Sequence, residues 1–462
     1  MSNSLSRRAF LAAATTSAAL TAGCCTAGKM NTAKVVPRKL SPNGKINLAS
    51  IGCGGQGFGD TMNCFKFSDK VNYVALCDVD WDRCAEAFYK IPAAKQYKDY
   101  RKMLEEMDGQ IDGLVISTPD HTHAPAAYMS MMMGKHVRVQ KPLTHTIAEA
   151  RLLAKVAKET GVVTAMGNQG HSGDGVRDLC EMLWSGAIGD VKEAHIWTDR
   201  PIWPQGIEKP LKEQAVPDTM DWDLWLGCAP KRPYNKMYAP FNWRGWWDFG
   251  CGAIGDMACH IMDPAFWALY LGNAPSYTVE VVQQERMTKE TPPKKSVIKY
   301  EFPERETPVG KMAAVTVYWY DGKLLPPRPA GIPEGETMGD GDNGSYFVGT
   351  KGVLSSGTYG GKSRLLPEAV MKDVKKPEQT IPRVPDENPF LSWIDACLTG
   401  GVAQSDFSYA GPLTEVANMG NVALLAGEKI EFDVASMKIT NVKSANKYLS
   451  KEYRKPFDFM PL

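Results

Sequence analysis

Short apolar runs alternate with stretches of helical periodicity between residues 45 and 166, and this alternation predicts βαβ units. The runs predict strands over 45–51, 73–78, 111–118, 136–140 and 162–166. Among the connecting stretches, the apolar spacing predicts helices over 122–133 and 147–160, the second of which ends at Gly161. Strands that alternate with helices form parallel sheets, so we expect a doubly wound α/β domain here.

The rhythm changes after Asp190. Residues 191–199 alternate like a half-exposed strand, and a long region rich in Trp and Pro follows. Later runs predict antiparallel strands over 280–285, 297–302, 312–320 and 345–349, and helices over 388–398 and 413–427. We therefore expect a second, α+β domain with a large, open, mostly antiparallel sheet. The predicted boundaries are a leader over 1–44, an α/β domain over 45–167 and an α+β domain over 168–462.

Composition narrows the functional classes. The 462 residues carry a formal net charge of +1, so neither nucleic acid nor an anionic membrane surface is an expected partner. The 11 cysteines lack paired or zinc-type spacing, so we expect no metal site and no disulfide framework. Several of them fall in predicted strands and helices, where cysteine packs as a small hydrophobe: Cys53, Cys77, Cys180 and Cys397.

The first residues have the pattern of an export signal. Ser6-Arg7-Arg8-Ala-Phe-Leu precedes a mildly apolar stretch that is far shorter than the ~20 residues needed to span a bilayer. This pattern predicts export by the twin-arginine route to the periplasm or cell envelope. Two readings of Cys24 stay open: a lipid anchor at that residue, or ordinary cleavage nearby that releases a soluble protein.

A glycine-rich turn follows the first predicted strand. Gly52 permits a tight turn, Gly54 lets the backbone approach a pyrophosphate, and Gly57 lets the next helix pack closely on the strand. The free N–H groups of that helix would face the phosphates. Asp78 ends the second strand about 20 residues later, where a carboxylate binds the ribose 2′-hydroxyl and repels a 2′-phosphate. The pattern predicts NAD binding in preference to NADP.

Polar clusters occupy the ends of three later predicted strands. They contain Thr118-Pro119 with His123, Gln140-Lys141-Pro142, and Asn168-Gln169 with His171. Because ligands of doubly wound sheets bind beyond the carboxyl ends of the strands, these clusters are candidate site residues. A lysine there could hydrogen-bond a substrate oxygen, whereas an isolated lysine would simply be solvated.

Asp256 and His260 have the i, i+4 spacing that places both on one helix face, an arrangement suited to acid–base chemistry. The alternative is a helix-capping aspartate beside a buried core histidine. A metal pair would lack a third ligand. The preceding aromatic segment offers Arg244 and Trp246 to a sugar ring, and Trp203 and His171 are further substrate candidates. Core packing would also account for most of these aromatic rings.

These motifs, in this order, resemble the Gfo/Idh/MocA (glucose–fructose oxidoreductase / inositol dehydrogenase) family. The resemblance implies a Rossmann domain followed by an α+β domain, with Lys141 and His260 as the catalytic pair and Asp256 as their polar support. It also implies homo-oligomers, dimers or tetramers, formed through the open sheet. This chain departs from the family in having Gln140 where glutamate is usual before the lysine. The implied cofactor-binding residues are Gly52, Gly54, Gly55, Gln56, Gly57, Asp78, Thr118, Pro119, His123, Gln140, Lys141, Asn168 and Gln169.

Three functions are compatible with these residues. The first is an oxidoreductase that moves a hydride between a tightly held NAD and a hydroxyl of a sugar, glycoside or cyclitol. The second is redox-neutral glycoside cleavage by oxidation, elimination and re-reduction. The third is a non-catalytic sugar-binding protein. Export favours tight retention of the cofactor, because no NAD pool is expected outside the cytoplasm and the twin-arginine route carries folded proteins.

Overall fold

The first part of the molecule is a parallel six-stranded sheet with helices on both faces. The computed structural model describes residues 44–375 and 377–462, so the predicted leader lies outside the described residues. The strand order is β3-β2-β1-β4-β5-β6, which confirms the doubly wound fold. The strands are β1 (Ile46–Ile51), β2 (Val71–Cys77), β3 (Lys95–Tyr97), β4 (Gly113–Ile116), β5 (His136–Val139) and β6 (Thr164–Met166). The helices are α1 (Gln56–Phe65), α2 (Ala85–Lys90), α3 (Tyr100–Glu106), α4 (Asp120–Met132) and α5 (Ile147–Thr160).

Local signals in the sequence explain these boundaries. Every residue of β4 and β5 is buried, as expected for central strands covered on both faces. Helix α5 begins with a capping box, in which Thr146 and Glu149 bond each other's backbone N–H groups. It ends at Gly161, whose left-handed conformation (φ 68°) stops the helix where the sequence predicts.

The second sheet has nine strands in the order β15-β14-β13-β7-β12-β9-β8-β16-β17. Only β7 and β12 pair in parallel, so the predicted open, mostly antiparallel sheet is confirmed. The predicted strand over 312–320 is wrong at its start, because residues 310–312 pair with residues 305–307 in a separate hairpin. The strands are β7 (Val191–Trp197), β8 (Ser276–Glu285), β9 (Lys295–Phe302), β10 (Arg305–Thr307), β11 (Gly310–Met312), β12 (Val315–Tyr320), β13 (Gly344–Gly349), β14 (Val353–Ser356), β15 (Arg364–Leu366), β16 (Ile430–Asp433) and β17 (Lys438–Ile439).

A long buried helix joins the two sheets. Helix α11 packs on α5 of the first sheet and on α8 and β8 of the second, and its side chains belong to a core shared by both sheets. It begins at Phe407, six residues before the predicted start, because Asp406 caps it and Pro412 is accommodated inside it. The helices of this part are α6 (Asp174–Trp184), α7 (Trp222–Leu226), α8 (Gly252–Ile261), α9 (Asp263–Ala268), α10 (Pro389–Thr399) and α11 (Phe407–Ala426). Short 3₁₀ helices span Gln169–Ser172, Asn242–Gly245, Leu271–Asn273, Thr358–Gly360, Glu368–Asp373, Pro385–Glu387 and Lys443–Leu449.

Two later segments return to the first sheet and wall its carboxyl edge. In the loop before α7, Met220 forms a β-bridge with Asp80, and the N–H of Asp221 donates to the carbonyl of Val79 at 2.8 Å. Near the C-terminus, Lys451 forms an ion pair with Glu149 at 3.1 Å. The ends of β1, β2 and β4 are therefore enclosed by residues from both domains.

The nine cysteines of the described residues are all free and buried, which agrees with the prediction of small hydrophobic thiols. Within the described ranges, the helices are too short or too polar to cross a bilayer.

Candidate active site

The turn after β1 has the geometry that its glycines predict. Gly52 has φ 77°, and a Cβ at Gly57 would lie 1.9 Å from the carbonyl oxygen of Gly52. A side chain at either position would be strained or would force α1 away from β1. The turn therefore leaves a backbone cradle at the N-terminus of α1, the form that binds phosphate groups.

Asp78 lies beside this turn at the end of β2. Its carboxylate accepts hydrogen bonds from the N–H groups of Cys53 at 2.8 Å, Gly54 at 3.1 Å and Asp80 at 3.0 Å. Burial raises the pKa of Asp78, and the three backbone donors oppose that rise. The acid is thus fixed next to the phosphate cradle, as a ribose-binding acid must be.

A cavity of about 420 Å³ opens from the glycine turn toward the second domain. Its lining fits a dinucleotide, whose central pyrophosphate needs a phosphate cradle and whose rings need largely apolar walls. Among its walls are eleven of the predicted site residues: Gly52, Gly54, Gln56, Asp78, Thr118, Pro119, Gln140, Lys141, Gln169, Arg244 and His260.

Lys141, which lines this cavity, pairs with Asp256 just behind the cavity wall, although the two residues come from different domains. The Lys141 Nζ lies 2.8 Å from Asp256 Oδ1 and also donates to the Asp256 carbonyl at 2.9 Å. The Arg244 Nε donates to the same carboxylate oxygen at 3.1 Å. Burial alone would raise the pKa of Asp256, but Lys141 and Arg244 hold it below its usual value. Asp256 is therefore an ion-pair partner of the lysine and does not cap its helix.

His260 follows Asp256 by one helical turn and faces the same cavity. Burial, followed by the charge of Lys141, lowers the pKa of His260 to about 3. The imidazole is therefore unprotonated at neutral pH, which is the state that a proton acceptor needs. Lys141 supplies a fixed positive charge beside it, so a hydroxyl bound between them would face both a proton acceptor and a hydrogen-bond donor.

The unusual Gln140 has a partner that explains it. Its Nε2 donates to Asp60 Oδ2 at 2.7 Å, and its Oε1 accepts from the Lys141 N–H at 3.1 Å. Asp60 belongs to α1 and also accepts from Ser117 at 2.7 Å. A glutamate at position 140 would place two carboxylates in contact, whereas the amide bridges Asp60 and the backbone of Lys141. Asp60 thus provides a carboxylate close to the place where the family usually has one.

Five predicted site residues lie behind the cavity wall. His123 joins two strand-end loops by contacts of 2.8 Å with the carbonyls of Thr118 and Pro142. The Lys141–Pro142 bond in the second loop is cis. Asn168 is buried, and its amide atoms have no hydrogen-bond partner within residues 44–375 and 377–462. Gly55 and Gly57 shape the turn without lining the cavity. Asp256 contacts the cavity lining through Lys141 and Arg244.

Three predicted substrate residues also lie outside the lining. His171 is buried against Asp263 at 3.2 Å and stacks on Trp267. Trp203 is buried and donates its Nε1–H to Gln205 at 2.8 Å. Trp246 is fully buried in an aromatic core. Apolar bulk that suits a sugar ring suits core packing equally well, so spacing could not separate the two.

Other cavity residues were missed from the sequence. Asp120, which accepts from the Cys251 N–H at 3.0 Å, immediately follows Thr118-Pro119 and could have been found as a strand-end acid. Phe457 lies near the C-terminus, 290 residues beyond residue 167, where the first domain ends. No local pattern marks it.

A glycine turn, a ribose acid and a Lys–Asp–His group in one cleft between two domains define the class of two-domain, dinucleotide-dependent oxidoreductases. Family profiles make the assignment specific. One, described as "Oxidoreductase family, NAD-binding Rossmann fold", matches residues 46–168. A second, described as "Oxidoreductase family, C-terminal alpha/beta domain", matches residues 192–303. The chain belongs to the Gfo/Idh/MocA oxidoreductase family, and its first domain is an NAD-binding Rossmann domain.

Curated relatives match the chain over part of their length. The chain is 34% identical over 125 residues to the uncharacterized oxidoreductase YdgJ of Escherichia coli, covering 27% of this chain and 34% of that protein. It is 26% identical over 159 residues to myo-inositol 2-dehydrogenase of Thermotoga maritima, covering 34% and 47%. It is 31% identical over 208 residues to alpha-N-acetylgalactosaminidase of Shewanella oneidensis, covering 41% and 45%. The chain thus spans between a third and a half of these three relatives.

Solved structures share the whole fold. The WlbA dehydrogenase from Bordetella pertussis, in complex with NADH and UDP-GlcNAcA, aligns with a TM-score of 0.57 at 16% identity. That alignment covers 83% of this chain and 98% of the other. Levoglucosan dehydrogenase in complex with NADH and levoglucosan aligns with a TM-score of 0.55 at 16% identity, over 84% and 99%. At these identities the similarity describes the fold.

Proposed function

We propose that this protein is an NAD-dependent oxidoreductase that acts on a hydroxyl group of a sugar, glycoside or cyclitol. The observation that carries the proposal is the 2.8 Å ion pair between Lys141 and Asp256, with His260 one turn further along α8. Lys141 and His260 line the cavity that the glycine turn opens. A proton acceptor and an oxygen-binding cation thus lie next to a cofactor cradle.

Each residue has a distinct part in the proposed reaction. His260 accepts the hydroxyl proton, Lys141 donates a hydrogen bond to the same oxygen, and Asp256 holds the lysine ammonium in place through their ion pair. The nicotinamide of bound NAD supplies the hydride acceptor. Gly52, Gly54 and α1 would hold its pyrophosphate, and Asp78 would hold its adenosine ribose.

Incubation with a panel of sugars, cyclitols and aryl glycosides tests this function. Net oxidation predicts one NADH formed per substrate oxidised, and loss of this activity in Lys141→Ala and His260→Ala. A sugar-binding protein without catalysis would still bind members of the panel. It would form no NADH, either as the wild type or with either substitution. Full activity in both variants would refute the assigned roles.

Redox-neutral glycoside cleavage is a second candidate. It is favoured by the similarity to alpha-N-acetylgalactosaminidase of Shewanella oneidensis and to two glycosyl hydrolase family 109 proteins of other Shewanella strains. In such a reaction, transient oxidation of a ring hydroxyl by NAD would acidify the neighbouring C–H, and the aglycone would leave by elimination. Water would then add to the resulting enone, and reduction of the ketone would regenerate NAD. Phenol released from an aryl glycoside with catalytic NAD and no NADH accumulation identifies this reaction.

We further propose that the protein is exported with its cofactor already bound. The sequence of the leader supports export, and the residues of later segments that flank the carboxyl edge of the first sheet support retention. Replacing Arg7 and Arg8 together by lysine should leave the protein in the cytoplasm. Mass spectrometry of the denatured purified protein should find NAD(H). Cofactor-free protein with millimolar NAD affinity would contradict retention.

The same mass measurement on the intact mature chain distinguishes a lipid at Cys24 from simple cleavage. The expected homo-oligomer, a dimer or tetramer, can be measured by light scattering.

A further inference from the structure

Tyr359 has a backbone conformation that is unusual for its residue type. It lies in the turn after β14 with φ 61° and ψ 24°, in the left-handed region that side chains with a Cβ disfavour. Asparagine and aspartate can offset the cost of this conformation by a local side-chain hydrogen bond, whereas an aromatic ring cannot. Such outliers persist where the surrounding structure imposes them, and they concentrate at functional sites.

The surrounding contacts do impose it. The Thr358 N–H donates to Asp340 Oδ2 at 2.6 Å, and the Gly357 N–H donates to the Gly361 carbonyl at 2.7 Å. A Cβ at Gly360 would lie 2.5 Å from the Cα of Val176, so the turn packs directly on α6. The turn is thus fixed on both sides of the tyrosine.

This conformation directs the side chain onto His260. The two ring centroids are 5.1 Å apart and the planes cross at 87°, an edge-to-face contact. The Tyr359 hydroxyl accepts a hydrogen bond from Gln169 Nε2 at 3.0 Å. A Cβ at Gly170 would lie 2.3 Å from Tyr359 Cδ1, so glycine is needed there to admit the ring.

His260 needs such a contact because its own hydrogen bonds do not orient it. Its Nδ1 is buried and has no hydrogen-bond partner among the described residues. Histidine bases usually have the second ring nitrogen held by an acceptor, which fixes the ring plane. In its place, Tyr359 packs against the imidazole and restricts rotation about its side-chain bonds.

We propose that Tyr359 is a positioning residue that fixes the imidazole plane of His260 toward the substrate hydroxyl. This role rests on the proposed function, since it requires His260 to be the proton acceptor. Tyr359 is not among the residues lining the cavity, so it would act through His260 and Gln169. Misplacement of a reacting group by about 1 Å can lower a rate by about 100-fold.

The test substitutes Tyr359 in two ways and uses a matched control. Tyr359→Asn keeps a residue that tolerates the left-handed turn but removes the ring, and Tyr359→Phe keeps the ring but removes the hydroxyl. Tyr270 is the control, because it also has a positive φ (46°) and stacks on Trp184 at 5.4 Å, away from the cavity. Tyr270→Asn should leave kcat unchanged.

For Tyr359→Asn we expect kcat to fall about 10- to 100-fold, with KM and bound NAD within about twofold of the wild type. For Tyr359→Phe we expect kcat within about threefold of the wild type. Wild-type kcat in Tyr359→Asn would overturn the proposal, as would equal losses in Tyr359→Asn and Tyr270→Asn. If Tyr359→Asn fails to fold, Tyr359→Gly takes its place, because glycine also tolerates the left-handed turn and removes the ring. A kcat loss of about 10-fold or more in Tyr359→Gly, with kcat retained in Tyr359→Phe, would support the proposal, and wild-type kcat in Tyr359→Gly would overturn it.

A wrong assignment of the proposed function would give a different result. His260→Ala and Lys141→Ala would then retain activity, whatever the activity of Tyr359→Asn. A loss in those two variants without a loss in Tyr359→Asn refutes only the positioning role.

Discussion

At the residue scale, the contact between Asp60 and Gln140 shows how an amide can occupy a position where the family usually has a carboxylate. The Gln140 amide satisfies Asp60 on one side and the Lys141 N–H on the other. The sequence reveals the departure at position 140 but not its compensation, because the partner lies 80 residues away in α1. Only the fold brings the two side chains together.

Gln140→Glu should destabilise the protein by about 1–3 kcal/mol, because a carboxylate would replace the donor to a buried acid. The double variant Asp60→Asn/Gln140→Glu should recover most of this loss, since an amide again faces a carboxylate. Urea unfolding of the wild type, both single variants and the double variant measures the coupling. Additive effects would mean that the two side chains do not interact.

His260 predicts a pH dependence of stability whose sign follows from its lowered pKa. The unfolded chain binds a proton near pH 6.5, whereas the folded protein does so only near the folded pKa of about 3. The contribution of neutral His260 is therefore complete above pH 6.5 and is lost as the pH falls toward 3. His260→Asn removes the titrating group.

Between pH 7 and about pH 5, the wild type should lose about 2 kcal/mol more unfolding free energy than His260→Asn does. Urea unfolding at both pH values checks this difference. Equal losses in the two proteins would show that the imidazole titrates normally in the folded state.

At the element scale, strands and helices followed the hydrophobic pattern, and the errors have local causes. The pattern placed β1, the glycine turn and α5, because an apolar run, the glycine spacing and a helix-ending glycine at 161 mark them in the sequence. The start of α11 was missed because a proline normally ends or begins a helix, whereas Pro412 lies within this one. The path of residues 198–250, which include α7, could not be predicted, since their contacts with residues 79–81 are tertiary.

The segment of Lys451 and Tyr453, near the C-terminus, is attached to the first domain by a buried ion pair. Lys451 is bonded to Glu149 at 3.1 Å and to the His121 carbonyl at 3.2 Å, and Tyr453 also donates to Glu149. Glu149 is fully buried. Removal of the lysine would leave this carboxylate without its cation in the interior.

Lys451→Met should therefore destabilise the protein by about 3–5 kcal/mol, whereas Lys451→Met/Glu149→Gln should be less destabilised because no unpaired charge remains. Thermal unfolding of both variants measures the difference. As a control, Lys155→Met disrupts an exposed pair with Glu159 and should change stability by less than about 1 kcal/mol. A loss at Lys451 no larger than this would contradict the buried-pair argument.

At the scale of the whole molecule, two domains each contribute half of a site. The glycine turn, Asp78 and Lys141 come from the parallel sheet, while Asp256, His260 and Arg244 come from the second part of the chain. Their motifs could be recognised because a glycine turn and an i, i+4 helix spacing are visible in the local sequence. Tyr359, Asp60 and Phe457 leave none, since their roles arise only from contacts across the fold.

The central claim is that Lys141 and His260 transfer a substrate proton beside a resident NAD. Rapid mixing of the purified protein with an oxidisable sugar or glycoside, without added cofactor, tests it by following the absorbance of bound NADH. We predict a fast rise in the wild type, limited to the amount of protein, and none in Lys141→Ala or His260→Ala that retain their cofactor. An equal rise in all three proteins, or none in wild type that contains NAD across the whole substrate panel, would contradict the claim.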